Sequence, residues 1–155
     1  MPRLDVRLAT DEDSADIFHW RNDVLTRRMS HTTDAIKWEA HRAWLRSVLL
    51  DDRCCMVLCS TNNPAQKTAV IRFDMQEQST LVSINLNPEM RGHGLAKACL
   101  RQSLDLFTQR HPEILLIQAE IKVCNVASRR VFESVGFELL SSLGDSFLFT
   151  WRVHN

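Results

Sequence analysis

The chain has 155 residues, 45% hydrophobic and 25% charged, which is the size and balance of one ordinary domain able to bury a core without cross-links. Nineteen basic against nineteen acidic side chains leave no formal net charge, so nothing in the composition points to a polyanionic partner such as nucleic acid. No run of about eighteen apolar residues occurs and the first residues lack an apolar signal-like stretch, so a cytoplasmic protein without a membrane segment is expected.

The segment Arg3 to Thr10 alternates apolar Leu4, Val6 and Leu8 with charged neighbours, the pattern of a half-buried strand. Thr10 with Asp13 then forms a capping-box pattern, with Asp where Glu or Gln is usual. Ile17, Trp20 and Val24 share one face of the helix that follows, and Ile36, Ala40, Ala43, Trp44 and Val48 mark a second helix. A short apolar run, Cys54 to Ser60, predicts a buried strand. The polar turn Thr61 to Gln66 joins it to a second strand, Thr68 to Gln76, as a hairpin.

Val82, Ile84 and Leu86 alternate with Ser83, Asn85 and Asn87 in a third strand, which Pro88 stops. Ala96, Leu100, Leu104 and Phe107 predict a helix bounded by Pro112. Ile114 to Ile121 reads as a strand. Asn125 to Val135 reads as a helix with Asn125 as its cap and Gly136 just past its end, and Ser146 to Val153 closes the chain as a strand. The expected order is β, α, α, three strands, α, β, α, then one or two strands. The five cysteines form no Cys-x-x-Cys pair, so free thiols are expected, with Cys54 and Cys55 buried, and no metal site.

The stretch Asn87 to Leu100 carries two glycines between a strand and a helix. Such a turn presents backbone N–H groups at a helix N-terminus with few side chains in the way, which suits a pyrophosphate; it equally suits a tight turn that needs positive φ. A dinucleotide fingerprint would need a glycine where Lys97 stands, and a P-loop would need Gly-Lys-Ser/Thr, so neither phosphate motif is met.

Arg91-Gly92-His93-Gly94-Leu95-Ala96 resembles the Arg/Gln-x-x-Gly-x-Gly/Ala signature of the GNAT superfamily of acetyl-CoA-dependent N-acetyltransferases, with a strand before it and a helix after it as in that family. A second block, Glu120 to Phe137, is similar to the family's strand, Asn-initiated helix and terminal Gly-Phe. The resemblance extends over the whole chain. It implies one domain, residues 1–155, of α/β (α+β) class: a central mixed, mostly antiparallel sheet with helices on both faces.

By that resemblance, the N–H groups from Arg91, Gly92 and His93 through Gly94, Leu95 and Ala96 hold the coenzyme A pyrophosphate. The strand edge at Asn85, Leu86 and Asn87 pairs with the pantetheine arm as an added strand would. Asn125, Arg129, Arg130 and Phe132 of the second block are also assigned to acetyl-CoA. Arg129 and Arg130 are favoured over Lys97 and Arg101 for the nucleotide phosphates; all four also suit a solvated face. The His93 side chain is expected to face solvent.

An amine attacks a thioester only when neutral, so the reaction needs a proton acceptor and a stabiliser for the tetrahedral oxyanion, and the leaving thiolate can take a proton. Glu120 aligns with the glutamate that serves as base in the family branch acetylating protein N-termini; the alternative is an exposed strand-end carboxylate. Many family members place a proton-donating tyrosine seven residues after the asparagine. Here that position is Phe132 and the chain contains no tyrosine, so the role does not carry over. A backbone N–H near Leu86 is expected to polarise the oxyanion.

Trp20-Arg21-Asn22, followed by Ser30, Ile36, His41 and Trp44, resembles a branch that includes ribosomal-protein N-terminal acetyltransferases and amino-sugar-nucleotide acetyltransferases of the pseudaminic acid pathway. This implies an acceptor site in which Arg21 and Asn22 bind hydroxyls or a phosphate and Trp20 or Trp44 stacks on a ring. Core tryptophans and a capping asparagine are the alternative. A small-molecule amine is the expected acceptor, with an amino-sugar nucleotide as the specific candidate. A protein α-amine is second and a non-catalytic acetyl-CoA-binding module third. Neither nucleic acid nor membrane is expected as a partner, and the chain is expected to be a monomer or homodimer.

Overall fold

The computed structural model describes residues 3–62, 65–77 and 79–154. Strands β1 (Leu4–Leu8), β2 (Cys54–Asn62), β3 (Ala65–Met75), β4 (Thr80–Leu86), β5 (Leu116–Lys122), β6 (Glu138–Leu143) and β7 (Ser146–Arg152) form one sheet in the order β1-β2-β3-β4-β5-β7-β6. All neighbours are antiparallel except β4 and β5, which makes the mixed, mostly antiparallel sheet that was expected. The hairpin turn is tighter than the sequence suggested. Thr61 pairs with Gln66 and Asn62 with Ala65, leaving 63–64 of the expected turn outside the described residues.

Strand alternation sorts the core into two faces. Cys55, Val57 and Cys59 of β2 and Ile71 and Phe73 of β3 pack against α4 (Leu95–Arg110), where the Phe73 and Phe107 rings stack at 4.1 Å. Met56, Leu58 and Val70 point the other way, onto Ile17 and Trp20 of α1 (Ser14–Asn22) and Leu45 of α3 (Trp38–Leu50). Helices therefore cover both faces.

Three helices follow β1, where two were expected. Asp23 leaves helical geometry (φ −56, ψ 135) and accepts from the Thr26 N–H at 3.1 Å, which ends α1 and starts α2 (Val24–Met29). Val24 thereby leaves the face of Ile17 and Trp20 and is 55% exposed. The expected α3 face also needs correction: Ala40 and Ala43 are exposed and Ile36 precedes the helix, while His41 and Leu45 are buried. A histidine occupies the position that the apolar pattern left unassigned.

The sheet opens between β4 and β5. Their ladder consists of Thr80↔Ile117 and Leu81↔Gln118, whereas β4 pairs with β3 from Thr80 to Leu86 and β5 with β7 over its whole length. Past Leu81 and Gln118 the two strands present facing edges without a shared ladder. The helix α5 (Val126–Val135) lies against this opening, with Asn125 and Ser128 at its N-terminal end and Phe132 buried behind them.

Candidate active site at the split of the sheet

Two cavities meet at this opening. One, of about 470 Å³, runs along β4 from Ile84 and Leu86 to Arg91, Gly92, Gly94, Leu95, Ala96 and Lys97. Gly92 and Gly94 have φ of +78 and +70, so both sites disfavour any residue with a Cβ. Apart from the adjoining residues of the turn, no protein atom lies within 4 Å of where that Cβ would stand, so the space above the turn is open. No side chain caps α4, which leaves its first-turn N–H groups aimed into that space.

The Arg91 guanidinium is engaged on its α2 side. It pairs with Asp23, the cap of α2, and donates to Thr26 Oγ1 at 3.0 Å, tying α2 to the glycine turn. The far end of α2 is held to the end of β5, where Lys122 donates to the Arg28 carbonyl at 3.1 Å. No residue of α2 is buried, so these polar ties place it across the opening.

The other cavity, of about 490 Å³, lies on the α1 and α3 side of the sheet and takes Arg72, Ser83, Asn85 and Glu120 from alternating strand positions. Its remaining wall includes Arg21, Trp44 and the segment from Ser30 to Ile36. The two cavities share Thr26, Met29 and Ser30, Ile84 and Asn85 of β4, and Asn125 and Ser128. Because the Asn87 N–H donates to Thr68 at 2.7 Å, the two-residue period turns the Asn85 and Ser83 amides toward β3 and those of Ile84 and Leu86 toward the split. The Asn85 Oδ1 is buried with no hydrogen-bond partner.

Glu120 lines the second cavity with His31, whose Nε2 stands 3.7 Å from the carboxylate. Phe132 is 2% exposed, edge-on to Phe137 at 5.0 Å, with one side on the same cavity. Arg21 lies over Trp44, its Cζ 3.9 Å from the ring centroid, and its Nη1 is 2.9 Å from His41 Nδ1. The other nitrogen of His41, Nε2, is 2.9 Å from the Ser14 carbonyl, which only accepts. His41 therefore carries its proton on Nε2 and takes the Arg21 hydrogen bond on Nδ1. Burial, then the charge of Arg72, lowers the Arg21 pKa to about 10, so it remains charged at neutral pH.

Several expected site residues stand elsewhere. Trp20 is 4% exposed within the α1 core and lines neither cavity, so Trp44 is the tryptophan at the site. Both ends of the Asn22 amide are committed to the Ile36 backbone at 2.8 Å, which fixes the cavity wall instead of meeting a ligand. Asn87 binds the Lys67 carbonyl and caps the turn at Pro88–Met90. Asn125 lines both cavities, but its side chain caps α5 by accepting from the Ser128 N–H at 3.2 Å.

Arg129 pairs with Glu133 at 2.8 Å and lies over Phe147, and neither it nor Arg130 lines either of the two cavities. Lys97, in the first turn of α4, lines the first of them. His93 is exposed and outside both cavities. Arg72 and His31 were not singled out from sequence. A lone arginine amid the apolar run of β3 was a signal for the first; His31 lies in an aperiodic loop that offered none.

Among the described residues, no group of three or more His, Cys, Asp or Glu is placed to hold a metal ion, and no helix is long and apolar enough to cross a membrane. No curated protein sequence matches the chain. Solved structures do. Spermidine N-acetyltransferase from Vibrio cholerae with CoA and spermine is 14% identical, with a TM-score of 0.85 over 96% of this chain and 95% of that one. RimL, a ribosomal L7/L12 alpha-N-protein acetyltransferase with coenzyme A, is 16% identical, with a TM-score of 0.82 over 97% and 94%. Aminoglycoside acetyltransferase AAC(6')-Ib with coenzyme A and kanamycin is 16% identical, with a TM-score of 0.81 over 97% and 95%. At these identities the likeness establishes the fold. The acetyltransferase (GNAT) domain family model matches residues 3–138, and with it the chain belongs to the GNAT family of acetyl-CoA-dependent N-acetyltransferases.

Proposed function

We propose that the chain moves an acetyl group from acetyl-CoA to the primary amine of a small molecule across the split between β4 and β5. The observation that carries this reading is the meeting of the two cavities at Ile84 and Asn85. In it the pyrophosphate takes the N–H groups of the Gly92 to Ala96 turn, Lys97 offers a cation, and the pantetheine arm follows the free edge at Leu86. The thioester then lies at the junction. There the Ile84 N–H, one strand period nearer the acceptor cavity than the expected Leu86, stabilises the oxyanion.

The neutral amine attacks the thioester carbonyl carbon, the C–S bond breaks, and the amine's proton passes to Glu120. Phe132 supplies no proton. The thiolate therefore leaves as the anion or takes a proton from water, consistent with a thiol pKa of about 8.5.

An amino-sugar nucleotide remains the specific acceptor candidate. A protein α-amine is the second reading, favoured by Glu120 standing at the position of the base in that branch. A thiol-release assay with primary amines, sugar nucleotides and N-terminal peptides tests the reaction. Turnover with an ascending pH limb, weakened at least about tenfold in kcat by Glu120→Gln with acetyl-CoA affinity retained, is the expected result. Acetyl-CoA binding without turnover of any amine would leave a coenzyme-binding module instead.

A further inference from the structure

Resting on the acetyltransferase reading, we infer that the acceptor amine also carries an oxyanion, a carboxylate or a phosphate, which seats on Arg21 and Arg72 against Trp44. Two guanidiniums share this floor, 3.9 and 5.6 Å from the Trp44 centroid. Arg72 has a carboxylate partner, with its Nε 2.9 Å from Asp74, and this leaves its terminal nitrogens uncommitted to that pair. Arg21 has none among the described residues; its one hydrogen-bonded partner is the neutral imidazole of His41.

A partly buried cation without a counter-ion is costly, and the neighbouring arginine adds to the cost. Contact with Trp44 and the His41 hydrogen bond hold the guanidinium in the cavity wall, where a planar or tetrahedral oxyanion supplies the missing charge through charge-assisted hydrogen bonds.

The cavity is also polarised. Its carboxylates, Glu120 and Asp34, stand on β5 and on the loop after α2, whereas Arg72 stands on β3 with β4 between. Two strand spacings set a lower bound of about 10 Å between the Arg72 and Glu120 backbones, which the opening between β4 and β5 exceeds. That polarity fits an amine at Glu120 and an anion at the arginine floor, in one small molecule. A polyamine would set an ammonium against two guanidiniums.

The test has a binding arm and a kinetic arm. Inorganic phosphate, and separately acetate, is titrated into the protein while NMR follows the arginine Nε–H and Trp44 indole signals. Saturable shifts at Arg21, Arg72 and Trp44, absent at Arg129, are expected. Thiol release then compares glucosamine 6-phosphate with glucosamine, and γ-aminobutyrate with butylamine. The anionic member of one pair should have at least about a tenfold higher kcat/KM. The responding pair tells phosphate from carboxylate. Arg21→Met should erase the preference and Arg21→Lys keep part of it. No saturable shift at Arg21, or neutral members that do as well in both pairs, overturns the inference. Calorimetry with acetyl-CoA separates the two claims: absent binding fails the acetyltransferase reading, whereas normal binding without an anion response fails this inference alone.

Discussion

His41 illustrates how single residues set the charge of this site. Burial and, less strongly, the Arg21 charge hold it below the ordinary histidine value of 6.5, against the opposing bond to the Ser14 carbonyl. Asp13 is fully buried, and burial alone would raise its pKa. Hydrogen bonds from Arg7, Lys67 and the Thr10 N–H outweigh that and hold it well below the ordinary 3.8. In both cases the unfolded chain takes up a proton that the folded one resists, so stability falls with pH. The loss from His41 begins as pH drops below 6.5 and that from Asp13 below 3.8. Urea midpoints measured from pH 8 to pH 3 should fall in two stages, and His41→Gln should remove the first. A flat profile between pH 7 and 5 in the parent protein contradicts the neutral Nε2–H assignment.

Phe132 gives a second residue-scale prediction. Its ring touches the acceptor cavity on one side, so Phe132→Tyr should cost less than about 1 kcal/mol if the hydroxyl points there. The parent enzyme should lack the descending pH–rate limb of a tyrosine acid near pH 10. A descending limb in the parent would reveal another proton donor.

At the scale of elements, α2 and the glycine turn act together. Thr26, Met29 and Ser30 border both cavities, and Asp23 both caps α2 and pairs with Arg91. Asp23→Ala should cost about 1–2 kcal/mol for the lost cap. It should also raise KM for acetyl-CoA and acceptor together, whereas a change at Arg21 should raise the acceptor KM alone. Steady-state kinetics on both substrates distinguishes the two patterns. Gly94→Val, at φ +70, should cost about 1–2 kcal/mol of backbone strain and weaken acetyl-CoA at least tenfold. Unchanged affinity in a folded variant would contradict the phosphate path.

The glycine turn was legible because its chemistry is local: a strand, two glycines and a helix in one stretch. The α2 strap was not, since Asp23 breaks the helix within an unbroken apolar rhythm, and Arg91 reaches it across a sequence separation of 68. Trp20 and Asn22 looked like ligand-binding groups for a related reason. Their spacing from Arg21 is visible in sequence, but a helix sends neighbours to different faces, and only Arg21 of the three meets the cavity.

For the whole molecule, the central claim is that one opening in one sheet joins two cavities and that acetyl transfer takes place where they meet. The order of elements along the chain followed from periodicity, and helices on both faces of one sheet from the family resemblance, but the split followed from neither pattern. It reflects a β4–β5 ladder of two residue pairs, a tertiary quantity that no periodicity encodes. A crystal structure of the protein with coenzyme A tests the claim most directly. The account predicts the pyrophosphate on the N–H groups from Gly92 to Ala96, the pantetheine along Leu86 and the sulfur beside Ile84 and Asn85. A pyrophosphate seated on Arg129 and Arg130, or a sulfur outside the split, would contradict it.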